Sequence, residues 1–332
     1  MAIEFRHLRY FIAVAEESHI TRAAERLGMQ QPPLSQQIAA IERQLGVQLF
    51  RRKARGVELT DAGCAFLAEA RATLGHLDRL VESTRRAARG EQGRLCVGVT
   101  STATFHPLVP SALRAFRKTC PLVDFTLEEC MSNEMVERLR NERMDVAFIR
   151  TSPADSREIA VVPLLDEPMV LALPSDHPLA QLHDQSAIRL QSLADETFIL
   201  YGPPGTGMYD ATITACHAAG FNPRVGNLAA STQQAPRVAS TLSLVAAGFG
   251  ISCVPSSLQR MTIFGVVYRA LEASVRPCVR LNLASRPTNQ SSVVKRFIAV
   301  VRETARDFAA PAKPDGCCGN APGQDAWTLS DQ

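Results

Sequence analysis

The stretch from residue 20 to residue 45 constrains this chain most. A short helical pattern, a glycine and a second, proline-opened helix succeed one another with no room for a strand between them. In the short helix, predicted over 20–27, Ala23 and Ala24 are small enough to let another helix cross closely. Ser18 stands ahead of it as a cap, and Gly28 turns the chain behind it. The next helix opens at Gln31, Pro32 and Pro33; proline suits a first helical turn because the N–H it lacks would have no intrahelical partner there. Leu34, Ile38, Ile41 and Leu45 recur as its buried stripe, leaving Gln31, Ser35, Gln36 and Gln37 towards the opposite, N-terminal side. Upstream, Phe5, Leu8, Phe11, Ile12 and Ala15 mark a first amphipathic helix, which Glu16, Glu17, Ser18 and His19 interrupt.

Taken alone, a polar helix face is a solvated one. The basic segment after Gly46 changes that reading. Residues 47–59 alternate enough for a short two-stranded wing around Ala54, Arg55 and Gly56, and Arg51, Arg52, Lys53 and Arg55 crowd into five positions of it. The net charge of +3 conceals an asymmetry: residues 1–90 hold 14 Lys and Arg against 10 Asp and Glu, the remainder 22 against 23. Positive charge is therefore concentrated where a phosphate-contacting surface needs it. A helix with outward glutamines at its start can read base edges, since glutamine pairs bidentately with adenine. Arg52 and Arg55 on the wing would reach sugar-phosphate backbone or minor groove. Residues 1–59 thus predict an all-α winged helix-turn-helix for double-stranded DNA.

Thr60 caps a long helix predicted over 60–89. Leu67, Leu74, Val81 and Ala88 recur at seven-residue steps, with Ala70, Leu77 and Thr84 offset by three, as in a heptad seam. So small a domain has nothing to cover that seam, and a second copy of the chain is the economical partner. A homodimer would also present two recognition helices to a two-fold symmetric site.

Gly90, Gln92 and Gly93 break the long helix, and strands then alternate with helices. Strands at 95–99, 123–127 and 146–149 surround helices at 107–119 and from 133. A second unit starts near 162, with strands 169–173, 197–200, 225–228 and 251–254 and helices 208–219 and 236–247. Strands 266–271 and 279–284 then return to the first unit, which ends in a helix over 291–308. This predicts an α/β domain over 92–310 with one lobe from 92–161 and 266–310 and another from 162–265. Residues 311–332, with adjacent Cys317 and Cys318 and the sole Trp327, read as a disordered tail.

Several function classes fall away. At 332 residues and 46% hydrophobic, the chain can fill more than one core. Its longest apolar stretches fall short of the roughly 18 uninterrupted residues of a membrane span. Glu4, Arg6 and Arg9 occupy the place of an export signal's apolar core, so a cytoplasmic protein that does not engage membrane is expected, not an exported solute-binding protein. Nine cysteines show no CxxC pair and read as reduced core residues, and no metal or cofactor is implied. No Ser-His-Asp, Cys-His or paired-carboxylate pattern marks an enzyme carrying a DNA-binding module; His106, His177, His183 and His217 read as surface or cap residues. Gly202-Pro203-Pro204-Gly205-Thr206-Gly207 imitates a phosphate-cradling loop, but Met208 and Tyr209 come next where Lys and Ser or Thr are required.

In open α/β sheets, ligands gather beyond the C-terminal ends of strands, where loops and helix N-termini offer donors. Thr100, Ser101 and Thr102 occupy such a turn and either grip a carboxylate or serve as ordinary helix caps. Arg150 closes the strand 146–149, either to pair with an acid or to stand in solvent. Tyr201, Pro203, Pro204 and Gly205 come after another strand, and Asn227 and Val254 stand at two more.

Four runs carry a family resemblance: Phe5-Arg6-His7-Leu8-Arg9-Tyr10-Phe11, Thr21-Arg22-Ala23-Ala24-Glu25-Arg26-Leu27, Gln31-Pro32-Pro33-Leu34-Ser35 and Leu59-Thr60-Asp61-Ala62-Gly63. They resemble the LysR-type transcriptional regulators, over nearly the whole chain to about Phe308. The Pro-Pro step and the Arg-His-Leu-Arg-Tyr-Phe start are most similar to regulators of aromatic-acid and chlorocatechol breakdown. The resemblance implies DNA contacts that include Arg9, Thr21, Arg22 and Lys53. It implies an effector domain of two α/β lobes joined by two crossover strands, like a periplasmic binding protein. The Thr100–Thr102 turn and the loop at Tyr201 would face each other across its cleft. It further implies two linker-helix dimers forming a homotetramer that contacts RNA polymerase. The function implied is control, as an activator, of a catabolic operon in response to an aromatic or dicarboxylic acid.

Overall fold

The computed structural model describes residues 3–151, 158–181, 187–226 and 237–308, so the predicted tail and the Asn227 position lie outside the described residues. Two compact units make up the chain, Met1–Ala88 and Arg89–Gln332.

The first unit contains α1 (Phe5–Glu17), α2 (Ile20–Arg26), α3 (Gln31–Leu45), the strands β1 (Phe50–Lys53) and β2 (Gly56–Leu59), and α4 (Asp61–Ala88). Glu16 and Glu17 extend α1 instead of breaking it, because their charges are used: Glu16 accepts from Arg26 at 2.9 Å and from Arg71 at 2.8 Å. Ser18 does not cap α2. It takes a left-handed conformation (φ 51°) that ends α1, and its carbonyl accepts the Val57 N–H at 2.9 Å, fastening the wing. His19 precedes α2 without a side-chain cap.

At the centre, the fully buried Phe11 meets Phe66 edge-on at 4.8 Å and Phe50 at 5.0 Å. Leu34, Ile38, Ile41 and Leu49 close the core around it, whereas Leu45 of the expected stripe is exposed. The carboxylate of Glu42 accepts the N–H groups of Leu49 at 2.7 Å and Phe50 at 3.0 Å, so α3 itself holds the wing's root. The wing is an antiparallel pair running from Phe50↔Leu59 to Lys53↔Gly56. Thr60 caps α4 as predicted, its Oγ1 accepting the Gly63 N–H at 3.0 Å. Gly63 must lack a side chain, since a Cβ there would lie 2.1 Å from the Leu49 carbonyl.

The heptad seam of α4 splits in two. Phe66, Leu67 and Ala70 are covered within the unit, by the core that α1 helps build. Further on, Leu80 is 62% exposed and Val81 39% exposed. The unpartnered apolar seam therefore begins a turn or two later than the spacing alone implies.

The second unit opens with β3 (Gln92–Val99), α5 (Leu108–Thr119), β4 (Leu122–Glu129), α6 (Ser132–Arg140) and β5 (Val146–Ile149). Next come β6 (Ala160–Pro174), β7 (Thr197–Phe198), α7 (Gly207–Ala218), β8 (Arg224–Val225), α8 (Val238–Ala246), β9 (Ser252–Pro255) and β10 (Val266–Arg269). β11 (Cys278–Ser285) and α9 (Ser292–Phe308) complete it.

One lobe has the sheet order β4-β3-β5-β11-β6, with β3 parallel to both neighbours and β11 antiparallel to β5 and β6. Its core stacks Phe297 of α9 edge-on against Phe116 at 5.1 Å and Phe148 at 6.3 Å. The expected strand 169–173 is only the second half of β6, which runs unbroken through both lobes. Residues 160–168 pair with β11, and residues 169–174 pair with β9 and β10. The strand predicted over 266–271 does not return to the first lobe: Val266–Arg269 pairs with the 171–174 end of β6, and the chain re-enters the first sheet only at β11. The second lobe's core gathers Leu171, Leu173, Phe198, Met208, Leu242, Val245 and Val254.

Among the described residues no helix is long and apolar enough to cross a membrane. Burial pushes the thiols of Cys96 and Cys216 up to about 11 and raises that of the fully enclosed Cys253 further still. These are inert thiols, in keeping with core residues.

Candidate functional site

On the first unit, Gln31, Pro32, Pro33 and Gln36 at the start of α3 are exposed and Ser35 is half-buried, with Leu34 turned fully into the core beneath them. Arg9, Thr21 and Arg22 are also exposed, and the Arg22 guanidinium is steadied by donating to the Glu17 carbonyl at 2.5 Å. On the wing, strand alternation separates the cations. Arg51 and Lys53 share one face with Glu58, whose carboxylate lies 3.0 Å and 2.5 Å from them. Lys53 first, then Arg51, holds that carboxyl below its usual range. Arg52 points the other way and Arg55 sits at the tip, both exposed and in no ion pair among the described residues. The charge of Lys53 is thus largely spent locally, which its sequence position does not reveal, while Arg52 and Arg55 keep theirs unpaired among the described residues.

In the second unit, three strand ends and one helix start converge between the lobes. After β3, the Thr100 and Thr102 hydroxyls lie 3.5 Å apart, and Thr100 Oγ1 accepts the Ala103 N–H at 3.3 Å. Thr100 is therefore a local cap, buried beside Thr102. Ser101, half-buried, shares a hydrogen bond at 3.0 Å with the hydroxyl of Tyr201 from the other lobe. Arg150, at the end of β5, is not a solvated strand end: its side chain is 4% exposed. Its Nε donates to Thr102 Oγ1 at 3.2 Å, and its Nη2 to Glu167 Oε2 at 2.6 Å and to the Thr102 carbonyl at 3.4 Å. Its Nη1 is buried without a partner among the described residues.

Glu167 and Ser257 join the Arg150 cluster, and sequence reasoning missed both. Glu167, on β6, is 2% exposed, and its Oε1 accepts the Ser257 N–H at 2.7 Å. Burial works against its charge, but Arg150 and then the hydroxyl and N–H of Ser257 outweigh burial and hold the carboxyl below its usual range. Strand alternation accounts for its placement once β6 is in hand, since neighbours in a strand face opposite ways. Asp166 pairs outward with Arg280 at 2.7 Å and 3.1 Å, so Glu167 must turn inward and find a cation there.

The loop after β7 meets this cluster through Tyr201, while Pro203 is half-buried and Pro204 and Gly205 are exposed at its rim. Its resemblance to a phosphate loop has a backbone cause. A Cβ on Gly207 would lie 1.7 Å from the Arg150 carbonyl, so only glycine lets the start of α7 close onto β5. Val254 is fully buried in the second lobe's core, as part of the cluster to which Tyr201 also belongs. His106 accepts the Leu108 N–H at 3.2 Å and His177 the Leu179 N–H at 3.2 Å, both acting as caps.

Residues 5–64 match the model of the bacterial regulatory helix-turn-helix protein, lysR family, and residues 88–306 that of the LysR substrate binding domain. The HTH-type transcriptional regulator BudR of Raoultella terrigena is 37% identical over 298 residues, covering 89% of this chain and 99% of its own. AlsR of Bacillus subtilis, also an HTH-type transcriptional regulator, is 36% identical over 303 residues, covering 90% and 95%. Among solved structures, the LysR family transcriptional regulator CbnR is similar with a TM-score of 0.79 and 31% identity, covering 90% of this chain and 100% of CbnR. Full-length CbnR in complex with its target DNA gives 0.76 and 32%, covering 91% and 100%. With both family models matched and relatives aligned over most of their length, the chain belongs to the LysR family of bacterial helix-turn-helix transcriptional regulators.

Proposed function

We propose that this chain binds promoter DNA through α3 and its wing and controls a catabolic operon, as an activator, when a small organic acid enters the cleft beside Arg150. The observation that carries the reading is the convergence of the hydroxyl turn 100–102, Arg150 and Tyr201 in one place, with an unpartnered Arg150 nitrogen among them. In the DNA interface, Gln31, Ser35 and Gln36 read base edges. Arg9, Thr21, Arg22, Pro32, Pro33, Arg52, Lys53 and Arg55 fix the register on backbone and minor groove.

The uncovered half of α4 pairs with a second copy. Dimers associate further through effector domains, for which edge strand β4 offers Leu122, Phe125 and Leu127, all exposed on the described surface. Effector in the cleft favours one arrangement of the lobes, which changes the spacing of the DNA heads and the contact with RNA polymerase in the cytoplasm.

A promoter-reporter and gel-shift assay with a Ser101→Ala, Thr102→Ala double variant tests this. DNA binding is retained and the response to an inducing acid is lost; a wild-type response in that variant overturns the cleft assignment.

A further inference from the structure

The Arg150 site is built but incomplete. A guanidinium carries five N–H donors, and at Arg150 those on Nε and Nη2 are taken by Thr102 and Glu167, while Nη1 is buried with no acceptor among the described residues. Ser257 braces the same carboxylate: its N–H grips Glu167 Oε1 at 2.7 Å, and its buried hydroxyl lies beside that carboxylate too. The unpartnered Arg150 nitrogen thus lies beside an ion pair that is otherwise satisfied, and a buried polar group of this kind calls for a partner. For Nη1, which can only donate, that partner is an acceptor, and a carboxylate oxygen is the acceptor that fits a guanidinium best.

Charge then restricts which acid can enter. Arg150 is already neutralised by Glu167, so an incoming carboxylate places a second negative charge on one guanidinium in a spot sealed from water. Two carboxylates so close cannot both stay ionised cheaply, and the pair retains one proton. A second carboxylate on the ligand would find no buried cation among the described residues. Arg260, from the segment after β9, and Arg237, ahead of α8, act on the site electrostatically but are exposed. The other titratable groups facing it are His106 in the turn before α5, Tyr201 after β7 and Glu129 at the exposed end of β4.

We propose that the cleft takes a ligand with a single carboxylate, which docks on Arg150 beside Glu167 and carries one proton into the site. The proposal rests on the reading of this cleft as the effector site and narrows its ligand from organic acids at large to monocarboxylates, against the dicarboxylates that the family resemblance also admits. Glu167 is then a specificity residue: a built-in anion that tolerates one more carboxylate only if a proton comes with it.

Isothermal titration calorimetry on the full-length protein decides the matter. The probes are acetate, propionate and benzoate against succinate and cis,cis-muconate, at pH 5.5, 6.5 and 7.5, in pairs of buffers with different ionisation heats. At least one monocarboxylate binds tenfold or more tightly than either dicarboxylate. Its binding takes up a proton and tightens by up to about tenfold for each unit the pH falls. Glu167→Gln removes most of the proton uptake, whereas His106→Gln leaves it in place.

Tighter dicarboxylate binding overturns the proposal, as does uptake below about a tenth of a proton at every pH in the wild type, or uptake that vanishes in His106→Gln but not in Glu167→Gln. Absence of binding by all three monocarboxylates overturns it too. The first two readings need only the wild-type protein, so a poorly folding variant does not stall the test. Monocarboxylate binding that survives Arg150→Met together with Ser101→Ala sinks the cleft assignment itself, an outcome distinct from binding that is lost in those variants but is proton-independent.

Discussion

The hydroxyl of Tyr201, on the loop after β7, shares a 3.0 Å hydrogen bond with the hydroxyl of Ser101, at the end of β3, and so links the two lobes across their cleft. Removing it in Tyr201→Phe costs about 0.5–1.5 kcal/mol of unfolding free energy. Urea denaturation measures that cost. Because the ring remains, a loss above about 3 kcal/mol would mean that the hydroxyl does something other than make this one bond.

Gly207→Ala is a steric probe of the same place. The added Cβ would lie 1.7 Å from the Arg150 carbonyl, so α7 and β5 have to part. The expected cost is about 1–3 kcal/mol, as for overpacking elsewhere. The response to effector is also lost, while DNA affinity in a gel shift is unchanged. A stable, fully responsive variant would contradict the close approach.

For the DNA surface, Gln36→Ala weakens binding to the operator by about 1–3 kcal/mol and relaxes preference at one base pair. Arg52→Ala and Arg55→Ala weaken binding evenly across sequences and each lowers the salt slope by about 1. Lys53→Ala lowers it less, since Glu58 already holds that ammonium at 2.5 Å. A titration of affinity against salt separates the three.

In α4, Leu77→Glu with Leu80→Glu shifts the protein towards monomer in sedimentation velocity at micromolar concentration. The core of the first unit is untouched. Phe11→Ala does the reverse, costing about 3–5 kcal/mol of stability as expected for a buried aromatic. If the double glutamate variant sediments like the wild type, the seam is not the dimer contact.

Glu167 also leaves a signature in acid. Its carboxyl is depressed in the folded protein, so it contributes stability that is present above the unfolded-state value of about 4.3 and lost as pH falls through the folded one. Glu167→Gln should therefore flatten the fall of thermal midpoint below about pH 4.3 relative to the wild type. An unchanged acid limb would mean that the pair with Arg150 contributes nothing to the linkage.

Much of this molecule could be read from residue types and spacing. Gly28, the Pro32-Pro33 opening and the stripe of Leu34, Ile38 and Ile41 announced the helix-turn-helix, since helix starts, turns and periodic burial are set by near neighbours in sequence. Thr60 announced α4 for the same reason. What was not legible depended on residues far apart in the chain. Ser18 serves α1 and the wing instead of α2 because Val57 claims its carbonyl. Leu67 and Ala70 look like seam residues by spacing, but are covered once α1 folds back beside them. Glu167 reads as one of two surface acids until β6 is known to be a strand whose neighbour, Asp166, already faces Arg280. The lobe that strand 266–269 joins is equally hidden, because nothing local tells which half of β6 it pairs with.

β6 is a single hydrogen-bonded ribbon common to both lobes, and β11 runs antiparallel along its first half. At the crossing, the Met169 N–H donates to the Pro277 carbonyl at 2.8 Å. A change in the angle between the lobes is felt as torsion along this ladder, because β6 runs through both of them. The ladder is not uniform: its register slips between Leu281 and Asn282, where Leu165 and Pro163 are the opposing residues. A bulge bends and over-twists a strand locally, so mechanical compliance is concentrated at that step. One skipped residue in the ribbon shared by both lobes is thus the place where that ribbon bends most readily.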